Sequence, residues 1–338
     1  MDRQAERVRV ALIGGGGMAS RYHHPSLASF PDVDLVAACD LIEDKARQTA
    51  TRFGIPANRV YTDYRKMLAE MQPQAVYVLM PPQHVYEPAA NVLKQGCHLF
   101  VEKPLALTTN QARMLAYTAG EHNCLTMVGF QRRYIPAATA LRQRVEERGA
   151  IHFAEVAFLK SSRGLDTPAG FYDGAIDPLT SDGIHAVDNL RWLCGGEVEE
   201  VRADARKRYV PGPVGNAFFA LVNFSSGAVG TVHYNTVTGR RVFRAEFHGP
   251  NATAYVDADR DSFFVADDGE PDVKPSKHFG QQFARPGEEP QPYHWLGFWQ
   301  ESRHFIDCIK SGQQPSSHFA DAVKSMELVE RILLAEAR

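Results

Sequence analysis

Apolar and polar positions follow two different rhythms along this 338-residue chain. In the first third, residues 8–13, 33–39, 75–80, 98–101 and 125–128 form short runs rich in Val, Leu and Ile, as in strands covered on both faces. Between them, residues 19–29, 43–53, 63–70, 86–95 and 110–121 repeat their apolar positions at helical spacing. Gly54, Gly96 and Gly120 stand where those helices should end. Strand and helix in strict alternation predict a doubly wound parallel sheet, a Rossmann domain over residues 1–130.

The rhythm changes after about Arg133. A helix over 136–147, a strand over 151–160 and a helix over 182–194 precede consecutive strand-like runs at 198–209, 216–224, 228–235, 242–248 and 252–256. Ser226-Gly227 and Gly249-Pro250-Asn251 mark turns between them. Runs of strands after a few helices predict an α+β domain over 131–338 with a large, mostly antiparallel sheet. Residues 267–292, rich in Pro, Gly and charge, read as a surface loop, and helices over 295–311 and 319–337 close the chain.

Length and composition agree with two soluble domains. A single core rarely organises 338 residues, and 44% hydrophobic with 23% charged positions is ordinary for a globular protein. A net charge of −3 gives no reason to expect nucleic acid or an anionic membrane as a partner. No run approaches the roughly 18 apolar residues of a spanning helix, and the charged N-terminus has no apolar signal core, so the expected location is cytoplasmic. The five cysteines are scattered and never spaced as CxxC, which argues against a disulfide framework and a zinc site; no metal is expected. Cys39, Cys97 and Cys124 sit in apolar stretches, as small buried hydrophobes do.

The sharpest local signal runs from Val8 to Ala19 and matches G-x-G-x-x-A, with Gly14, Gly16 and Ala19 in the key places. Gly14 permits the tight turn, Gly16 lets a pyrophosphate approach the backbone, and Ala19 keeps the helix close to the sheet. The helix start then offers N–H groups to the phosphates. A second strand ends at Asp40, 21 residues beyond Ala19, where a carboxylate can accept from both ribose hydroxyls. Such a carboxylate repels a 2′-phosphate, and Leu41 and Ile42 bring no cation, so NAD is favoured over NADP. The expected dinucleotide contacts are Gly14, Gly16, Gly17, Met18, Ala19 and Asp40, joined at later strand ends by Pro81, His84, Glu102 and Lys103.

Glu102-Lys103-Pro104, closing the fifth strand, resembles the hallmark of the Gfo/Idh/MocA family of oxidoreductases. Met80-Pro81-Pro82-Gln83-His84, Gly129-Phe130-Gln131-Arg132-Arg133-Tyr134, the stretch from Gly183 to Leu193, and Asp307-Cys308-Ile309-Lys310-Ser311-Gly312 fit the same pattern in the same order. The resemblance implies a Rossmann domain followed by a domain whose open sheet forms a subunit interface in homodimers or homotetramers. It also implies sugars, inositols or related polyols as substrates.

Residue chemistry adds candidate roles. Lys103, at the carboxyl end of a parallel strand, could hydrogen-bond a reacting hydroxyl and stabilise developing alkoxide charge. The Lys103–Pro104 peptide is expected to be cis. His185 is the proton-transfer candidate, since an imidazole ordinarily titrates near 6.5. Asp182 and Asn189 lie three before and four after it, one helical face. Many dehydrogenases of the family place the acid four before the histidine, where this chain has Ser181, so Asp182 reads either as a catalytic partner or as a helix cap. Arg163 is a candidate substrate contact alongside Lys103, Asp182 and His185. Tyr293, His294, Trp295 and Trp299 suit either a sugar-stacking face or a core. The run Arg202–Arg208 reads as a solvated strand side. The leading expectation is an NAD-dependent dehydrogenase of a secondary alcohol. The alternatives are a glycosidase that oxidises and re-reduces its sugar on tightly held NAD, and a non-catalytic dinucleotide or sugar sensor.

Overall fold

A computed structural model describes residues 7–161, 171–209, 215–258, 262–266 and 276–337. The strands are β1 Val8–Ile13, β2 Val33–Cys39, β3 Val60–Tyr61, β4 Ala75–Val78, β5 His98–Glu102, β6 Thr126–Gly129, β7 Phe153–Leu159, β8 Val198–Arg206, β9 Ala217–Phe224, β10 Val229–Asn235, β11 Val242–Gly249, β12 Ala252–Asp257 and β13 Ser262–Ala266. The α-helices are α1 His24–Ala28, α2 Glu43–Phe53, α3 Tyr64–Met71, α4 Tyr86–Lys94, α5 Thr109–Glu121, α6 Pro136–Glu146, α7 Ile184–Cys194, α8 Ser276–Gly280, α9 Pro292–Trp295, α10 Phe298–Ser311 and α11 Phe319–Leu333. They form two compact units, Met1–Gln131 with Pro292–Val323, and Arg132–Gln291 with Lys324–Arg338.

The first unit holds a parallel six-stranded sheet in the order β3-β2-β1-β4-β5-β6. β4 and β6 are buried throughout, because helices cover both faces and leave no polar side. Chain order reverses between β1 and β4, which opens a crevice beyond their carboxyl ends. β3 escaped the sequence reading because two residues carry no periodicity. Gly54 ends α2 in the left-handed region as expected, but at the end of α5 that conformation falls on Asn123 (φ 52°), and Gly120 stays helical. Asp63 and Thr108 cap α3 and α5 by accepting from Arg65 and Gln111 N–H. The expected helix over 295–311 is interrupted, with Gly297 at φ 94° separating α9 from α10.

The second unit holds a seven-stranded sheet in the order β13-β12-β11-β7-β10-β9-β8, antiparallel except for β7 with β10. β13 extends the sheet beyond the strands expected, and α8 interrupts the stretch expected to be loop. Strand residues alternate between buried and part-exposed. α7 covers the buried face so closely that a Cβ on Gly230 would stand 2.6 Å from Leu190. α7 itself is buried nearly all round, including His185, Asp188 and Asn189. The opposite face leaves Phe219 48% exposed. No helix among the described residues is long and apolar enough to cross a membrane.

Candidate active site

In the first unit the glycine turn is built by backbone constraint. Gly14, at φ 99°, donates its N–H to Cys39 O at 2.8 Å, and a Cβ on it would stand 2.3 Å from Leu79 O. Only glycine fits there. Gly16 and Gly17 face open space, with nothing within 4 Å of where a Cβ would be. The chain then enters a π-helical segment, Ala19–His23, that runs directly into α1. Ala19 is buried and Met18 is 46% exposed. Asp40 closes the crevice beside the turn, its Oδ2 accepting Gly15 N–H at 2.8 Å and its Oδ1 accepting Ile42 N–H at 2.9 Å. Leu41 and Ile42 beside it are 80% and 53% exposed. An open glycine backbone, a helix start, a fixed carboxylate and exposed apolar side chains suit the phosphates, ribose and adenine of a dinucleotide. The apolar pair after the acid was the available sign of an adenine face.

Along the same carboxyl edge, Pro81 and His84 are exposed around the short 3₁₀ turn that follows β4. Glu102 ends β5, and half-buried Lys103 follows it through a cis peptide to Pro104. Glu102 Oε2 accepts Lys103 N–H at 3.0 Å, while Oε1 lies 2.7 Å from His23 Nε2. Burial alone would raise the Glu102 carboxyl, but the His23 hydrogen bond and charge, with Lys103, bring it below the usual range. Sequence reasoning missed His23, which no local motif marks. Of the aromatic cluster, Trp299 donates Nε1–H to Ser29 Oγ at 3.0 Å and packs on Phe30, and His294 is buried.

In the second unit, a π-helical turn, Leu179–Gly183, leads into α7. Asp182 lies inside this turn and pairs with the ammonium of Lys160, just beyond β7. The residue ahead of the turn is Pro178 and the one ahead of α7 is Gly183, so Asp182 stands at neither of those positions. Asp177 serves the helix start, its Oδ1 accepting Thr180 N–H at 2.8 Å. A carboxylate within a turn cannot also take the position ahead of it. His185 is buried, with its ring 6.3 Å from Phe158, and Arg132, Lys160 and Arg241 surround that same ring at 5.2, 5.9 and 4.9 Å. Tyr234 is pushed well above the ordinary phenol range by burial and then by the charges of Asp182 and Asp177. Lys160, Arg241 and Tyr234 were not singled out in the sequence; Lys160 closing an apolar strand was the one visible hint. Arg163 lies outside the described residues. All five cysteines are buried, and burial first of all pushes Cys39 and Cys194 up to about 12.

The family model described as an oxidoreductase family with an NAD-binding Rossmann fold matches residues 8–130, and the GFO/IDH/MocA C-terminal domain matches residues 140–255. The chain belongs to the Gfo/Idh/MocA oxidoreductase family. Within that family, it is 24% identical over 330 residues to scyllo-inositol 2-dehydrogenase (NAD(+)) of Bacillus subtilis, covering 95% of this chain and 92% of that protein. It is 30% identical over 194 residues to D-glucoside 3-dehydrogenase of Escherichia coli, and this match takes in 56% of the chain and only 54% of that relative. Among solved structures, GenD2 from gentamicin A biosynthesis in complex with NAD aligns at a TM-score of 0.79 and 26% identity, over 99% of this chain and 96% of that one.

Proposed function

We propose that this Gfo/Idh/MocA protein is an NAD-dependent dehydrogenase that oxidises a secondary alcohol of a sugar, inositol or related polyol. One observation carries the reading: the open glycine turn, Asp40 and Lys103 share the carboxyl edge of one parallel sheet. The named substrates of the relatives, inositols and a glucoside, supply the substrate class.

The residues that would hold the coenzyme follow from the glycine turn and the strand ends beside it. Gly14, Gly16, Gly17, Met18 and Ala19 take the phosphates, Asp40 the ribose hydroxyls, and Pro81, His84, Glu102 and Lys103 line the far end. When bound, the nicotinamide supplies a hydride acceptor. Lys103 hydrogen-bonds the reacting oxygen and stabilises negative charge as it develops. His185 accepts the hydroxyl proton. Asp182, held by Lys160, orients the substrate, and Arg163 joins the same task. The Asp40 carboxylate selects NAD by repelling a 2′-phosphate. The protein works in the cytoplasm as a homodimer or homotetramer joined through the open face of the seven-stranded sheet, where Phe219 is exposed.

The test is a panel of sugars, inositols and sugar acids, each assayed with NAD and with NADP by NADH or NADPH absorbance. The expected result is turnover of at least one polyol with NAD preferred, abolished by Lys103→Ala or His185→Ala. Binding of NAD with no turnover of any member, or near-normal rates in both variants, would overturn it.

A further inference from the structure

The Glu102 carboxylate has both oxygens engaged within the protein, one on His23 Nε2 and one on the backbone of Lys103. An ionised carboxylate only accepts, so Nε2 carries the hydrogen of the first bond. The other ring nitrogen, Nδ1, faces Glu301 Oε1 on α10 at 3.8 Å. The side chains of His23 and Glu301 expose no surface. Phe100 and Phe298 meet the imidazole ring at 5.3 and 5.2 Å, and Tyr77 stands 6.4 Å away. His23 Nδ1 and both Glu301 oxygens are buried without a hydrogen-bond partner.

Two carboxyl groups around one buried imidazole are costly unless their charges are arranged. Burial, and then the charge of Glu102, raises the Glu301 carboxyl well above its usual range. Glu301 is therefore the uncharged acid of the pair, with a carboxyl oxygen facing Nδ1, while Glu102 keeps the negative charge. The groups facing Glu301 are His23, Glu102 and Tyr77.

We propose that His23 and Glu301 are positioning residues for Lys103, acting through Glu102. The inference rests on the reading of Lys103 as the group that polarises the substrate oxygen. His23 ends the π-helical segment that leads out of the glycine turn, so its bond to Glu102 ties the dinucleotide turn to the turn that carries Lys103. Glu301 holds the imidazole ring from behind. Without the His23 donor, the Glu102 carboxylate swings away and releases the Lys103 N–H. A small displacement of a group that must meet a reacting atom lowers rate far more than it lowers coenzyme affinity.

The experiment compares H23F, which keeps an aromatic ring, with H23Q, whose amide N–H can replace Nε2–H, and adds E301Q, which keeps a neutral polar group. Turnover, KM, NADH affinity by calorimetry, and amide hydrogen exchange of the peptide spanning 98–107 are measured on the full chain. For H23F, kcat should fall about tenfold or more while KM and NADH affinity stay within about threefold, with faster exchange in that peptide. H23Q should recover most of the rate, and E301Q should stay within about twofold of wild type. Wild-type kcat in H23F, or kcat and NADH affinity falling together with no recovery in H23Q, would overturn the proposal. If H23F fails to fold, E301A against E301Q makes the same comparison, with loss expected only in E301A. A wild type that binds no NADH defeats the dehydrogenase reading. Exchange in the 98–107 peptide then decides the tie by itself, supporting it if H23F speeds exchange and H23Q does not, and sinking it otherwise.

Discussion

The Lys160 ammonium holds the Asp182 carboxylate across the start of α7, with the two side chains 21% and 18% exposed. If Asp182 orients substrate as proposed, this pairing is what holds its carboxylate in place. Asp182 stands in the π-helical turn ahead of α7, and its pairing with Lys160 fixes the direction of its carboxylate. Lys160→Met should lower kcat/KM about tenfold, with a change in unfolding free energy below about 1 kcal/mol, because partly exposed ion pairs add little stability. Steady-state kinetics and urea melts on the same samples separate the two effects. Equal losses in both would make the pair structural.

Arg133 and Asp188 form the opposite kind of pair. Both are nearly fully buried, Arg133 Nε donates to Asp188 Oδ2 at 2.7 Å, and Ser325 Oγ donates to Asp188 Oδ1 at 2.8 Å. Arg133→Met leaves a buried carboxylate without its countercharge and should destabilise the protein by about 3–5 kcal/mol, read from the denaturant midpoint. Adding Asp188→Leu should restore part of that loss, since both charges are then gone.

Gly14 and Gly16 should respond differently to the same substitution. Gly14→Ala drives a methyl into Leu79 O and a left-handed backbone, so it should destabilise by more than about 1 kcal/mol as well as weaken NADH binding. Gly16→Ala meets no protein atom within 4 Å, so its unfolding free energy should stay within about 0.5 kcal/mol of wild type. Its NADH affinity should nonetheless drop tenfold or more, on the order of 1.4 kcal/mol, because the methyl occupies the phosphate approach. Unchanged NADH affinity in Gly16→Ala would remove the turn from the coenzyme site.

Acid sensitivity has an identifiable source at Asp32. Burial alone would raise this carboxyl, but hydrogen bonds from Arg303 and Lys310 on α10, with their charges, bring it down to about 2. A depressed carboxyl stabilises the fold above its unfolded value of about 3.9, and that contribution is lost as pH falls through about 2. Asp32→Asn should therefore lower stability at pH 7 and flatten its fall between pH 4 and 2. Guanidinium melts across that range check the sign; an unchanged slope rejects the assignment.

What the chain states locally was legible in the sequence. The strand–helix alternation of the first third, the glycine turn from Gly14 to Ala19, Asp40 at a strand end, and Glu102-Lys103-Pro104 all follow from neighbouring residues, because periodicity and turn chemistry act over a few positions. The stretch around His185 likewise announced the helix that became α7. Two-residue β3 and the break at Gly297 were not legible, since so little chain leaves no pattern.

Pairings between distant positions were decided only by tertiary structure. His23 meets Glu102 across 79 positions and Lys160 meets Asp182 across 22, and nothing in the residues between records either approach. Charge state was settled the same way. Glu102 and Glu301 are the same residue type in the sequence, yet one is held below and the other above the usual carboxyl range. The difference is physical: secondary structure responds to near neighbours, whereas the charge a buried group carries depends on whatever the fold packs against it.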